Sequence, residues 1–105
     1  MTAKNSLIVA GLRGHVFRST DLGQSWQEIK LNHIATLYSV LTDDAGHVYL
    51  TGNAGTLLVS QDDGVTFTSM PTQDSKAILN AVAVKDQLVL VTEAGIRTLA
   101  IKKPE

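Results

Sequence analysis

The chain has 105 residues, 44% of them hydrophobic and 18% charged, which fits one packed domain and argues against a disordered segment. Its formal net charge of −1 provides no electrostatic footprint for nucleic acid or an anionic membrane, so we expect neither as a partner. The absence of cysteine excludes disulfides and thiolate metal sites. Because no apolar run is long enough for a signal-peptide core or a membrane span, we expect a cytoplasmic protein.

Short runs of β-branched and aliphatic residues alternate with Gly, Asp and Asn about every eight to eleven residues. This spacing is typical of all-β sandwiches, barrels and propellers, and helical patterns are almost absent. We therefore predict one all-β domain over 1–105, with tails at 1–6 and 102–105. The ten predicted strands lie near 7–11, 15–20, 26–31, 37–42, 47–52, 56–61, 67–71, 78–84, 87–92 and 96–101.

An eight-residue pattern, S-x-D-x-G-x-[ST]-aromatic, occurs at 19–26 and again 41 positions later at 60–67. The glycines of a preceding turn recur at the same distance. A third, partial copy follows about 40 positions further on and ends before the eight-residue pattern. A repeat of this length on a strand-rich background indicates stacked supersecondary units.

Turn chemistry explains the pattern without a ligand. The aspartate of each copy should accept hydrogen bonds from turn amides, the glycine should adopt a positive φ, and the hydroxyl side chains should add local hydrogen bonds. We expect the aromatic ring that ends each copy to be buried where the next strand begins. Burial of each ring should stabilise the fold by about 1.5–3 kcal/mol. These structural residues are Ser19, Asp21, Gly23, Ser25, Trp26, Ser60, Asp62, Gly64, Thr66 and Phe67.

The pattern resembles the Asp-box, or BNR, motif of repeat β-propellers, and the wider repeat is similar to the YCF48-like group, which is related to photosystem II assembly factors. The resemblance implies four-stranded antiparallel blades, with strands labelled A to D from the axis outward. The predicted strands then run BCD-ABCD-ABC, or about 2.5 blades: incomplete blades at 7–31 and 78–101 flank a complete one at 37–71. The chain thus resembles the C-terminal part of a longer propeller, although a β-sandwich remains an alternative.

Asp-box proteins include sialidases, but all three arginines and both tyrosines of this chain would have to converge to build such a site. For Arg18 we expect a solvated or packing role. Asp62-Asp63-Gly64 lacks the ladder of oxygen ligands that a calcium loop needs. His15, His33 and His47 lack metal-site spacing, and we expect His15 and His47 to be half-exposed at strand edges. No nucleophile elbow, P-loop or dinucleotide fingerprint occurs, so we expect no enzyme, no cofactor and no metal.

Propellers commonly bind partners at the end that carries the B–C turns and D–A connections, opposite the Asp-box turns, and polar loop residues on a rigid scaffold are candidates for recognition. In this chain the candidate binding face comprises Arg13, Asn32, His33, Asn53, Gln73, Asp74, Lys76 and Glu93.

Ten strands are too few for one ring, because propellers close with roughly four to eight blades. The terminal strands would expose unpaired backbone and apolar surface. We therefore expect the chain to complete its propeller as a homo-oligomer, a dimer in preference to a trimer. The predicted function is a noncatalytic scaffold for protein binding or assembly, with another protein as a further partner. The alternatives are a degenerate carbohydrate-binding propeller and a truncated propeller without an independent role.

Overall fold

The structure is a computed structural model that describes residues 2, 5–31, 36–43, 45–70, 72, 76–84 and 87–100. Over these residues the fold is all-β, with two short 3-10 turns at Leu12–Gly14 and Asn53–Gly55 and no α-helix. The strands are β1 Leu7–Ala10, β2 Val16–Ser19, β3 Gln27–Ile29, β4 Leu37–Thr42, β5 Val48–Gly52, β6 Leu57–Ser60, β7 Thr68–Ser69, β8 Ile78–Val84, β9 Gln87–Thr92 and β10 Gly95–Ala100.

The strands form three antiparallel sheets in chain order, which we call the first (β1-β2-β3), middle (β4-β5-β6-β7) and third (β8-β9-β10) sheets. The predicted all-β class and the grouping into three, four and three strands are confirmed. Several ends differ, as for the strand predicted at 26–31, which is only Gln27–Ile29. Its ladder with β2 ends at the Val16–Ile29 pair because β2 itself begins at Val16.

The middle sheet is covered on both faces. On one face, Leu50 and Leu58 pack with Val16 and Ile29 of the first sheet. The opposite face packs on the third sheet, in a cluster comprising Tyr49, Leu57, Ile78, Ala81, Leu88 and Leu90. Strand β5 is consequently buried along its whole length, which explains why a strand of an antiparallel sheet carries almost no polar alternation.

A β-bulge recurs in the first strand of two sheets. The register shifts between Leu37 and Ser39 in β4, and between Ile78 and Asn80 in β8, 41 positions later. Each bulge adds one residue to its strand and leaves the extra side chain, Tyr38 or Leu79, exposed. The sequence repeat is thus also a repeat of backbone geometry.

The repeat includes the described residues 2, 5 and 6, which belong to the segment that we predicted to be a tail. The Ser6 amide donates to Thr2 Oγ1 at 3.0 Å, as the His47 amide donates to Asp43 Oδ1 at 2.9 Å in the β4–β5 turn. Asn5 and Gly46 occupy the same positive-φ position of the two turns. None of the described segments is a helix with the length and apolar content that crossing a bilayer requires.

Candidate functional site

We call the turns at 19–26 and 60–67 the Asp-box turns, after the motif that their sequence resembles, and the two turns have the same hydrogen bonds. Asp21 Oδ1 accepts from the Ser25 amide at 2.9 Å and from the Ser19 hydroxyl at 2.8 Å. Asp62 Oδ1 accepts from the Thr66 amide at 2.9 Å and from the Ser60 hydroxyl at 2.7 Å. The hydroxyl of each leading serine in turn accepts from the box glycine, whose φ is 89° in the first turn and 86° in the second. Each box thus closes its own turn.

These bonds favour the ionised carboxylates. The Ser25 hydroxyl and amide, with the Ser19 hydroxyl, lower the pKa of Asp21 to about 2. For Asp62, burial opposes ionisation, but hydrogen bonds from Thr66 and Ser60 outweigh it and also lower the pKa to about 2. A carboxylate whose pKa is lower in the folded state stabilises the fold above its unfolded pKa, and this stabilisation is lost as the pH falls through the folded pKa.

We therefore expect the thermal unfolding midpoint to fall as the pH is lowered from about 4 to about 2. In a double variant, Asp21→Asn with Asp62→Asn, the pH dependence over this range should be smaller, because the neutral amides do not titrate. Unfolding followed by circular dichroism between pH 2 and pH 7 measures both slopes. Equal slopes in the variant and the wild-type chain would contradict the proposed role of the box carboxylates.

The aromatic residues that end the two boxes have different environments. Phe67 is partly buried and packs against the cluster between the first and middle sheets. Trp26 is 44% exposed, and the prediction that its ring is buried is wrong. It lies with Val9 and Phe17 around an open hollow on the face of the first sheet that points away from the middle sheet. No described element covers that face.

Arg18 forms an ion pair that sequence reasoning missed. Its Nη2 donates to Asp63 Oδ2 and its Nε to the Asp63 carbonyl, both at 2.8 Å. The Ser6 hydroxyl also donates to Asp63 Oδ2, and the Arg18 and Asp63 side chains are only 16% and 10% exposed. The pair ties the first sheet to the second Asp-box turn. The sequence signal for this ion pair was the aspartate at 63, the position at which the first box has Leu22.

The structure places the described members of the candidate binding face in turns or just before a strand. Arg13 and Asn53 lie in the two 3-10 turns, Glu93 lies in the β9–β10 turn, and Lys76 precedes β8. The Glu93 amide donates to the Ala77 carbonyl at 3.1 Å, which joins the last turn to the segment that enters β8. Asn32, His33, Gln73 and Asp74 lie outside the described residues.

A second group unrecognised in the sequence surrounds Asp43. Asp43 Oδ2 accepts from the Tyr49 hydroxyl at 2.8 Å and lies 2.9 Å from His47 Nδ1. Burial and the Asp43 carboxylate raise the pKa of Tyr49 well above its usual range. His47 is buried, so the prediction that it is half-exposed is wrong, because its imidazole turns back onto Asp43; His15, by contrast, is exposed.

His47 and Tyr49 line a cavity of about 290 Å³, together with Val59, Gln61, Ser69, Met70, Leu99 and Ala100. With Nδ1 held by Asp43, the remaining hydrogen-bonding atom of the ring is Nε2. In the equivalent turn before β1, the Thr2 hydroxyl accepts the backbone hydrogen bond that the Asp43 carboxylate accepts in the β4–β5 turn. The turn can therefore form without the Asp43, His47 and Tyr49 group. The signal in the sequence was D-x-x-x-H-x-Y across a glycine turn.

Within the described part of the chain, no three His, Asp or Glu side chains are grouped closely enough to hold a metal ion. Comparison with known proteins identifies no matching family, no matching curated protein and no matching solved structure.

Proposed function

We propose that the chain is a sector of a β-propeller that acts as a noncatalytic scaffold for protein binding and assembly, and that it assembles with further copies of itself. One observation carries this proposal. The middle sheet is covered on both faces, whereas each outer sheet leaves one apolar face exposed. Exposed apolar patches of this kind mark interaction surfaces on proteins.

The propeller interpretation is supported by the repeated geometry. The Asp-box turns, the β-bulges and the turns that precede β1 and β5 recur along the chain, and the three sheets follow one another in chain order. On this interpretation, the β1–β2, β5–β6 and β9–β10 turns lie at one end of the scaffold. Arg13, Asn53 and Glu93 would there form its recognition surface for another protein.

We expect light scattering at micromolar concentration to give a mass above the 11.3 kDa of one chain, with two copies favoured over three. Phe17→Lys should shift the mass toward one chain, because a charge on the exposed apolar face is costly to bury against another protein. Ala45→Lys is the matched control, since Ala45 is exposed in the β4–β5 turn of the middle sheet, whose two faces are already covered. A stable wild-type monomer at micromolar concentration would contradict self-assembly.

A second candidate function, sugar binding, is favoured by the hollow beside Trp26. Trp26 and Phe17 expose aromatic rings next to Val9, and an exposed ring face can stack on the apolar face of a sugar. Selective binding on a glycan array, lost in Trp26→Ala, would favour this function. An array without binding, together with a wild-type oligomer, would favour the scaffold.

A further inference from the structure

We infer that copies of this chain join head to tail, with the exposed face of the first sheet of one copy packed on the exposed face of the third sheet of the next. The inference rests on the proposed function and specifies the contact that assembly uses. We call the two surfaces the leading face (Val9, Phe17 and Trp26) and the trailing face (Val82, Val91 and Ile96). Both are defined by exposed apolar side chains of the outer sheets.

The leading face has a buried counterpart within the chain. Its three residues are between 38% and 53% exposed. The residues 41 positions later are Leu50, Leu58 and Phe67, which pack in the cluster between the first and middle sheets. The leading face therefore repeats the side of the middle sheet that packs against the sheet preceding it in the chain.

The trailing face has a counterpart too, identified by strand register. In the third sheet Val82 pairs with Val89, and the corresponding pair of the middle sheet is Leu41 with Tyr49. Likewise, Val91 pairs with Ile96 in the third sheet, and the corresponding pair of the middle sheet is Thr51 with Leu57. The residues of the middle sheet are buried or half-buried against the third sheet, whereas Val82, Val91 and Ile96 are between 44% and 67% exposed. The trailing face therefore repeats the side of the middle sheet that packs against the sheet following it.

These equivalences determine which surfaces fit. A leading face on a trailing face reproduces a packing that the chain already contains twice, between its first and middle sheets and between its middle and third sheets. Two leading faces, or two trailing faces, would meet in an arrangement that occurs nowhere in the described part of the chain. The predicted contact is heterologous, so it forms a closed ring where the rotation allows and a filament where it does not.

The side chains at the edge of this contact are compatible with it. Inside the chain, Arg18 of the first sheet meets Asp63 of the next Asp-box turn. By strand register, Thr98 is the residue of the third sheet that corresponds to Arg18 of the first sheet. In the first box, Leu22 corresponds to Asp63 of the second box. Head-to-tail packing would bring Thr98 near the exposed Leu22, so neither member of this pair would bury a charge.

The surface area buried by two contacts, as in a closed ring of two copies, is closer to that of stable complexes than the area buried by one contact. Three strands about 4.8 Å apart, three or four residues long in the first sheet and six or seven in the third, give faces of roughly 200–300 Å². One contact then buries roughly 400–600 Å² in total and two contacts roughly 800–1,200 Å², against about 1,200–2,000 Å² in stable complexes. Two copies would close a ring of about six sheets, within the roughly four to eight blades of propellers.

Cysteine cross-linking tests the pairing directly, because the wild-type chain has no cysteine. Phe17→Cys and Val91→Cys, one of them carrying a mass tag, are mixed and treated with a short bismaleimide. We expect the mixed cross-linked pair to exceed either self-linked pair at least about tenfold, as contact in one orientation requires. Ala45→Cys, in the exposed β4–β5 turn of the middle sheet, mixed with Val91→Cys measures background. Thermal unfolding checks that each variant is folded.

The outcomes separate the two proposals. Self-linking of Phe17→Cys as efficient as mixed linking would overturn the head-to-tail contact in favour of a symmetric one. A wild-type oligomer in which the mixed pair links no more than the Ala45→Cys background would overturn the face pairing and leave self-assembly standing. A wild-type monomer with no mixed linking would overturn both proposals.

Discussion

Gly52→Ala should lower the free energy of unfolding by about 2–4 kcal/mol, whereas Gly11→Ala, 41 positions earlier, should change it by less than about 0.5 kcal/mol. A Cβ on Gly52 would lie 2.5 Å from the Thr36 carbonyl oxygen and 3.3 Å from the Leu37 Cα. Backbone must move to relieve this clash, and the 2.9 Å hydrogen bond from the Asn53 amide to the same oxygen would be disturbed. The φ of Gly52 is −165°, so backbone strain plays no part.

Gly11 is the matched control because it occupies the same repeat position, and a Cβ on it would meet no atom of a non-adjacent described residue within 4 Å. The difference arises because Gly52 pairs with Leu37 of β4, whereas β1 has no described strand on that side. Urea unfolding at one fixed protein concentration measures both variants, since association would add a concentration-dependent term. Equal destabilisation by the two substitutions would contradict the assigned geometry around Gly52.

Asp63→Leu should lower the free energy of unfolding by about 2–4 kcal/mol, because it leaves the largely buried Arg18 guanidinium without its carboxylate. The repeat suggests the compensating change. Val59 is the register counterpart of Arg18, and Leu22 is the counterpart of Asp63 with nearly the same φ, 60° against 63°. Arg18→Val combined with Asp63→Leu should recover about 1–2 kcal/mol relative to Asp63→Leu alone.

A double-mutant cycle in urea measures the coupling between Arg18 and Asp63. Asp63→Asn removes the negative charge but keeps a residue that tolerates the positive φ at this position. It therefore measures the loss of the charge without added backbone strain. Burial opposes ionisation of Asp63, but hydrogen bonds from Ser6, Thr2 and Arg18 outweigh it and lower its pKa. The stabilisation by this carboxylate is therefore present above its unfolded pKa, near about 4, and lost at lower pH. Additive single effects in the cycle would contradict the ion pair.

Much of the fold could be predicted because its signals are local. Period-two alternation and turn residues located all ten strands, and the 41-residue repeat grouped them into sheets of three, four and three. The hydrogen bonds of the Asp-box turns lie within eight residues of sequence, so the residue types alone indicate them. The strand ends were less predictable, because a strand such as β3 ends where its neighbour's ladder ends.

The groups that were missed depend on contacts that local patterns do not show. Arg18 and Asp63 are 45 positions apart, in β2 and in the β6–β7 turn, so the unusual aspartate at 63 does not by itself indicate Arg18 as its partner. His47 is buried with its ring against Asp43, at a cavity whose other walls include Met70 and Leu99 from distant parts of the chain. Trp26 and Phe67 end boxes of the same pattern, yet a neighbouring sheet packs beside only one of them.

The strands, their order and the turns that join them follow from the sequence, because alternation and turn chemistry act between residues close in the chain. Which face of each sheet is covered follows from the way the three sheets pack. Alternation assigns side chains to two faces without indicating which face another sheet will meet. Burial of a face therefore depends on the neighbouring sheet, which is why the leading and trailing faces became visible only once the three sheets were packed together.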